Sequence, residues 1–149
     1  MEMKLEVVTL PVSDVDRAKR FYEQLGWRLD GDFVNGPDRR AVQFTPPGSD
    51  ASIWIENGLI PSAPGSVKRL VLAVFDVEAA RAELVRRGIA VSEIFHTGAP
   101  PLGGPFPGLD LEQDSYSSFA TFSDPDGNGW VVYQVQERLA GRGGTPPKP

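Results

Sequence analysis

The chain has no cysteine and a single histidine, His96. The first absence excludes disulfides, thiolate zinc sites and cysteine nucleophiles. The second excludes any site built on two histidines of one chain. Clustered cations are missing too. Lys and Arg number 15 against 20 acids, a net charge of −5, and Arg39-Arg40 and Arg86-Arg87 are isolated pairs. Nucleic acid is therefore not an expected partner, because phosphate binding needs a basic patch. No apolar run approaches the roughly 18 residues needed to span a bilayer. The stretch from Met1 to Glu6 runs straight into a strand pattern, without the long apolar centre of a signal peptide. No membrane partner and a cytoplasmic location are expected.

What is present is a core-sized share of apolar residues, 40% of 149, enough for one compact domain or two small halves sharing a core. The chain also repeats itself. Val12-Ser13-Asp14-Val15-Asp16-Arg17-Ala18-Lys19 returns 62 positions later as Val74-Phe75-Asp76-Val77-Glu78-Ala79-Ala80-Arg81, and Gly26 returns as Gly88. An apolar run precedes each copy. In the first copy Ser13 or Asp14 caps a helix whose stripe is Val15, Ala18, Phe21, Tyr22 and Leu25, with Gly26 ending it. In the second, Asp76 caps a helix carrying Val77, Ala80 and Leu84, ended by Gly88.

The remaining segments read as strands between turns. In the first half these are 4–12, 27–34, 40–45 and 52–56. In the second they are 67–75, 89–96, 117–122 and 129–136. The organisation predicted is a first βαβββ module over 1–57, a linker over 58–66, a second module over 67–137 and a disordered Gly/Pro-rich tail over 138–149. A long Pro/Gly-rich loop, 97–115, interrupts the second module. Its Leu102, Phe106, Leu109 and Leu111 suit a flap or a contact with a partner chain better than a solvated linker.

Two stretches carry a family resemblance. One is Val12-Ser13-Asp14 leading to Phe21-Tyr22 and Leu25-Gly26-Trp27. The other is Phe122-Ser123-Asp124-Pro125-Asp126-Gly127-Asn128-Gly129-Trp130. Over residues 4–137 the sequence resembles the vicinal oxygen chelate superfamily of glyoxalases, extradiol dioxygenases, fosfomycin-modifying enzymes and bleomycin-resistance proteins. The resemblance implies an α+β, glyoxalase-like fold, in which two paired βαβββ modules form a curved, cup-shaped mixed sheet. It leaves the chemistry open, since the superfamily includes enzymes and drug binders. It also implies the possibility of a homodimer.

In the metal-dependent members the ligands come from the first and last strands of each module. The matching positions here are Val7, Arg69, Val131 (or Val132, if Gly129 shifts the register) and a first-half counterpart near Trp54. Valine and tryptophan offer no usable lone pair, and arginine keeps its proton. A divalent first-row ion wants imidazole, carboxylate or thiolate. No metal and no other cofactor is expected.

Val7, Trp54, Arg69, Val131 and Tyr133 are instead the expected ligand contacts. Trp54 supplies a stacking surface. Arg69 is either a clamp for an anionic oxygen or one half of an internal ion pair or surface position. His96 and Glu56 are candidate acid–base groups, with a strand-end histidine and a solvated strand-end glutamate as the plainer readings. Tyr116 is a weaker candidate than these. Asp124 and Asp126 serve the turn that Gly127 permits. The expected function is binding of a small organic molecule in a metal-free cup, and the acidity of the chain suits a cationic ligand. The alternative is a glyoxalase-like lyase or isomerase, metal-independent through His96 and Glu56, or metal-dependent through a regrouped set of Glu6, Glu56, His96 and Gln134. Association without a ligand is a third reading.

Overall fold

Two ten-residue helices, α1 (Val15–Gln24) and α2 (Val77–Arg86), start and stop by the same chemistry. The side chains of Asp14 and Asp76 accept the backbone N–H of Arg17 and Ala79, each at 2.9 Å, meeting donors that the first helical turn leaves unpaired. At the far ends Gly26 and Gly88 take φ of +79° and +81°. There Trp27 N–H reaches Tyr22 O and Ile89 N–H reaches Leu84 O, closing a Schellman turn that only glycine enters without strain.

The computed structural model describes residues 1–98 and 103–139. Its strands are β1 (Val7–Pro11), β2 (Arg28–Val34), β3 (Arg40–Thr45), β4 (Ser52–Asn57), β5 (Leu70–Val74), β6 (Phe95–His96), β7 (Phe106–Pro107), β8 (Ser118–Ser123) and β9 (Gly129–Gln134). The architecture is α+β, with two modules carried by two mixed sheets of four and five strands. Among the described residues no helix is long and apolar enough to cross a membrane. Residues 140–149 of the expected tail, and Leu102 with the rest of 99–102, lie outside the described residues.

The chain divides into two compact units. The first holds Met1–Lys68 together with Ser123–Gly129, and its sheet runs β1-β4-β3-β2. Leu10, Val42, Phe44 and Ile55 are fully buried in it, as are Ala18 and Tyr22 of α1. Alternation along the strands puts Leu10, Val42, Phe44, Ile53 and Ile55 on one face, and the Tyr22 ring lies 5.8 Å from that of Phe44. That face is the core, and the opposite face is left open by α1. The second unit holds Arg69–Phe122 and the segment from Trp130 onward, with sheet order β5-β9-β8-β6-β7. Its buried face carries Ala120, Phe122, Trp130 and Val132.

Two expectations change here. The strand expected over 89–96 shrinks to β6, Phe95–His96. Upstream, Ser92 N–H bonds Thr121 O, but the return bond from Thr121 N–H goes to the Ser92 hydroxyl. A side chain has replaced the backbone acceptor, so the ladder does not propagate. The long loop in turn is not structureless. Phe106–Pro107 forms β7 and pairs with β6, Phe95 opposite Pro107 and His96 opposite Phe106.

Candidate functional site

On the open face of the first sheet, strand pairing aligns Thr9 with Trp54, Gln43 with Trp54, Ala41 with Glu56 and Phe33 with Ala41. Val7, two residues before Thr9, shares that face by the pleat. The expected contacts Val7 and Trp54 are thus brought onto one surface. Trp54 is half-buried, and its indole N–H donates to Gln43 Oε1 at 2.8 Å, which fixes the ring. The Phe33 ring folds back over Gly31, where a Cβ would come within 2.4 Å of the ring tip. Phe33, Asn35, Arg39, Arg40, Ala41, Trp54 and Leu59 line a cavity of about 340 Å³ with largely apolar walls. The lower part of the face is polar and closed. Thr45 donates to Asp30, so the 2.7 Å contact between Thr45 and Ser52 hydroxyls has Ser52 as donor. The Arg28 guanidinium, with Thr45, holds the Asp30 carboxyl below its ordinary range.

Glu56 also lies on this face, but it is fully buried, not a solvated strand end. Its Oε2 accepts the Leu59 N–H at 2.8 Å, and its Oε1 has no hydrogen-bond partner among the described residues. The chain turns back after Asn57, so that the Leu59 backbone meets the buried carboxyl. Sequence spacing gave its strand but not this cover.

In the second sheet, Val131 lies opposite Val71 and Tyr133 opposite Ala73. Thr9 and Val71 stand 62 positions apart, so Val131, not Val132, takes the place that Trp54 has in the first sheet. Tyr133 likewise takes the place of Glu56. Arg69 sits just before β5, is exposed and has no ion-pair partner among the described residues, so the internal ion pair is not formed.

The open face of this sheet carries an aromatic row, of which sequence reasoning named Tyr133 and Tyr116 but missed Phe95 and Phe119. Phe95 stacks on Phe119 at 5.5 Å, Phe119 meets Tyr133 edge-on at 6.4 Å, and Tyr133 meets Tyr116 at 5.3 Å. All four are half-buried. The available signal was period two in β8, with Phe119 out of phase with buried Ala120. His96 stands apart from this row. Its Nδ1 lies 2.9 Å from the Gly108 carbonyl, which only accepts, so Nδ1 carries the proton. Its ring is 5.5 Å from Phe106.

A metal is the group that this fold implies, and the donors do not fit one. The positions that the resemblance matches to metal ligands hold Val7, Arg69 and Val131, with Trp54 near the fourth. Among the described residues no three His, Asp or Glu side chains gather closely enough to hold an ion.

The model of the Glyoxalase/Bleomycin resistance protein/Dioxygenase superfamily matches residues 4–132. The chain belongs to that superfamily. Within it, the chain is 32% identical to the structure of TnmS3, described as an antibiotic binding protein from Streptomyces sp. CB03234, covering 89% of this chain and 96% of that one at a TM-score of 0.67. A glyoxalase/bleomycin resistance protein from the same organism is also 32% identical, covering 88% and 100% at a TM-score of 0.64. A superfamily member from Sphaerobacter thermophilus DSM 20745 shares the fold at 24% identity and a TM-score of 0.67, covering 90% and 98%. No curated protein matches the chain significantly.

Proposed function

We propose that the protein binds a small organic molecule of the antibiotic type on its open sheet surfaces, with no metal ion in the contact. Trp54, Val7, Arg69, Val131 and Tyr133 are the proposed contacts. The observation that carries this reading is the exchange at the ligand positions. Where a metal enzyme of this superfamily needs donor atoms, this chain has apolar, aromatic and cationic side chains, and the neighbouring faces are lined with aromatic rings. Such surfaces bind by shape and stacking and need no reacting group. The antibiotic-binding description of TnmS3, at 32% identity over nearly its whole length, supports the same reading.

The test follows from the tryptophans. Trp27 and Trp130 are buried, whereas Trp54 is half-buried on the open face, so a ligand there changes the emission of Trp54. Bleomycin and the aromatic carboxylate antibiotic nalidixic acid are titrated against protein before and after EDTA treatment, with metal content measured in parallel. Saturable quenching by at least one of them, unchanged by EDTA, is the expected result. Quenching by neither, or binding that needs a stoichiometric metal, overturns the proposal.

A further inference from the structure

The chain is acidic as a whole, yet the cavity beside Trp54 has the opposite local charge. Its lining includes two arginines and no acid. The two arginines are in different states. Arg40 is committed: its guanidinium bonds Asp32 through Nε and Nη2, at 2.8 and 2.7 Å, and Asp16 through Nη1 at 2.7 Å. Arg39 is exposed and, among the described residues, its side chain has no hydrogen-bond or ion-pair partner. Its backbone is nonetheless fixed, because Asn35 N–H bonds Arg39 O across the β2–β3 turn at 2.9 Å. The neighbouring Asp38 does not line the cavity, and neither does Glu56, which is enclosed against the Leu59 backbone.

We infer that this cavity selects aromatic ligands bearing an anionic oxygen, a carboxylate or a phenolate, with the ring against Trp54 and Phe33 and the anion on Arg39. The inference rests on the small-molecule reading above and adds its chemical class. Three features converge on it. The walls formed by Trp54, Phe33, Ala41 and Leu59 take an apolar ring. A guanidinium with free donors pairs with a carboxylate in fork geometry and is less strongly hydrated than an ammonium. Arg40, neutralised by two aspartates, adds no competing demand for the anion. A cationic ligand, which the net charge alone would favour, meets no acid in this lining.

Three probes of one shape separate the class from the binding itself: 2-naphthoate, 2-naphthalenemethanol and 2-naphthylmethylamine, each titrated calorimetrically into the full-length chain at neutral pH. Naphthoate is expected to bind about tenfold or more tightly than the alcohol, equivalent to about 1.4 kcal/mol, with the amine weakest. Arg39→Gln is expected to bring naphthoate and alcohol within about twofold of each other and to leave the alcohol unchanged. Arg20→Gln, a change at another exposed arginine, is expected to preserve the preference. Equal binding of all three probes, preference for the amine, or an unaltered naphthoate preference in Arg39→Gln overturns the anion class while leaving the small-molecule reading intact. Binding of none of the three overturns both at this cavity.

Discussion

The Tyr22 hydroxyl donates a 3.1 Å hydrogen bond to Asp124 Oδ2 inside the first unit, joining helix α1 to a turn 102 residues further along the chain. Asp124 is almost wholly buried and accepts three more bonds. Its Oδ1 takes the N–H of Asp126 and of Asn128, and its Oδ2 takes Asn128 Nδ2. Asn128 then bonds Pro11 O and receives Val67 N–H. Removing one donor and removing the shared acceptor should therefore differ in cost. Tyr22→Phe is expected to lower unfolding free energy by about 1 kcal/mol, the net worth of one hydrogen bond. Asp124→Ala is expected to cost about 3 kcal/mol or more, because several buried donors lose their partner together. Urea denaturation followed by circular dichroism measures both, and equal costs would show that the turn is not held through Asp124.

Gly65 makes a second, steric prediction. It has φ of +72°, and a Cβ there would stand 1.9 Å from the Asp126 carbonyl oxygen. That neighbour is backbone and cannot turn away. Gly65→Ala is expected to destabilise by about 2 kcal/mol or more, strain and clash combined. Gly36 is the control. Its φ is +81° but nothing lies within 4 Å of its Cβ position, so Gly36→Ala should cost only about 1 kcal/mol of left-handed strain. Matching denaturation midpoints for the two variants would contradict this account.

These contacts mark how far the sequence could be read. The helices, their caps at Asp14 and Asp76 and their ends at Gly26 and Gly88 are local events, and each followed from residues within a few positions. Val7 and Trp54 were linked only through the ligand positions that the family resemblance implies, and the pairing of β1 with β4 is what puts them on one face. Asp124 was legible as a turn residue, but its bond to Tyr22 was not, since nothing local specifies a partner so distant. The cover over Glu56 and the row that joins Tyr133 and Tyr116 to Phe119 and Phe95 were missed for the same reason. Both depend on which strands become neighbours. The overlong strand 89–96 failed on a finer point, since a serine hydroxyl standing in for a backbone acceptor is invisible to hydrophobic periodicity.

Acid should act on the first unit through Asp32. Hydrogen bonds from Arg40, with a further one from Lys19, lower its carboxyl from the ordinary 3.8 to about 2. A carboxyl whose folded pKa is depressed contributes stability above its unfolded pKa and loses it as pH falls through the folded one. The window here runs from about pH 4 down to about pH 2. Water screens the pair, since the Asp32 side chain is 28% exposed, so the contribution at neutral pH is expected to be no more than about 1 kcal/mol. Arg40→Met should be less stable than the parent at pH 7 by up to that amount. The difference should shrink between pH 4 and pH 2 in urea melts, and a gap that widens with acid would refute the assignment.

Trp54 offers the sharpest separation of binding from folding. Its indole is half-buried on the open face, and its one hydrogen bond goes to Gln43, also half-buried. Losing the ring should therefore cost modest stability, about 1–2 kcal/mol by the area it covers, with Gln43 free to turn to water. A ligand stacked on the ring would lose far more. Trp54→Ala is expected to weaken binding of whichever probe saturates the parent by about tenfold or more, or about 1.4 kcal/mol. Trp54→Phe keeps an aromatic face while dropping the N–H, so it should stay within about threefold of the parent. Calorimetric titration of both variants, set beside their urea midpoints, decides the matter. If Trp54→Ala loses stability but keeps its affinity, Trp54 is a packing residue and the ligand must be sought on the aromatic row of the second sheet.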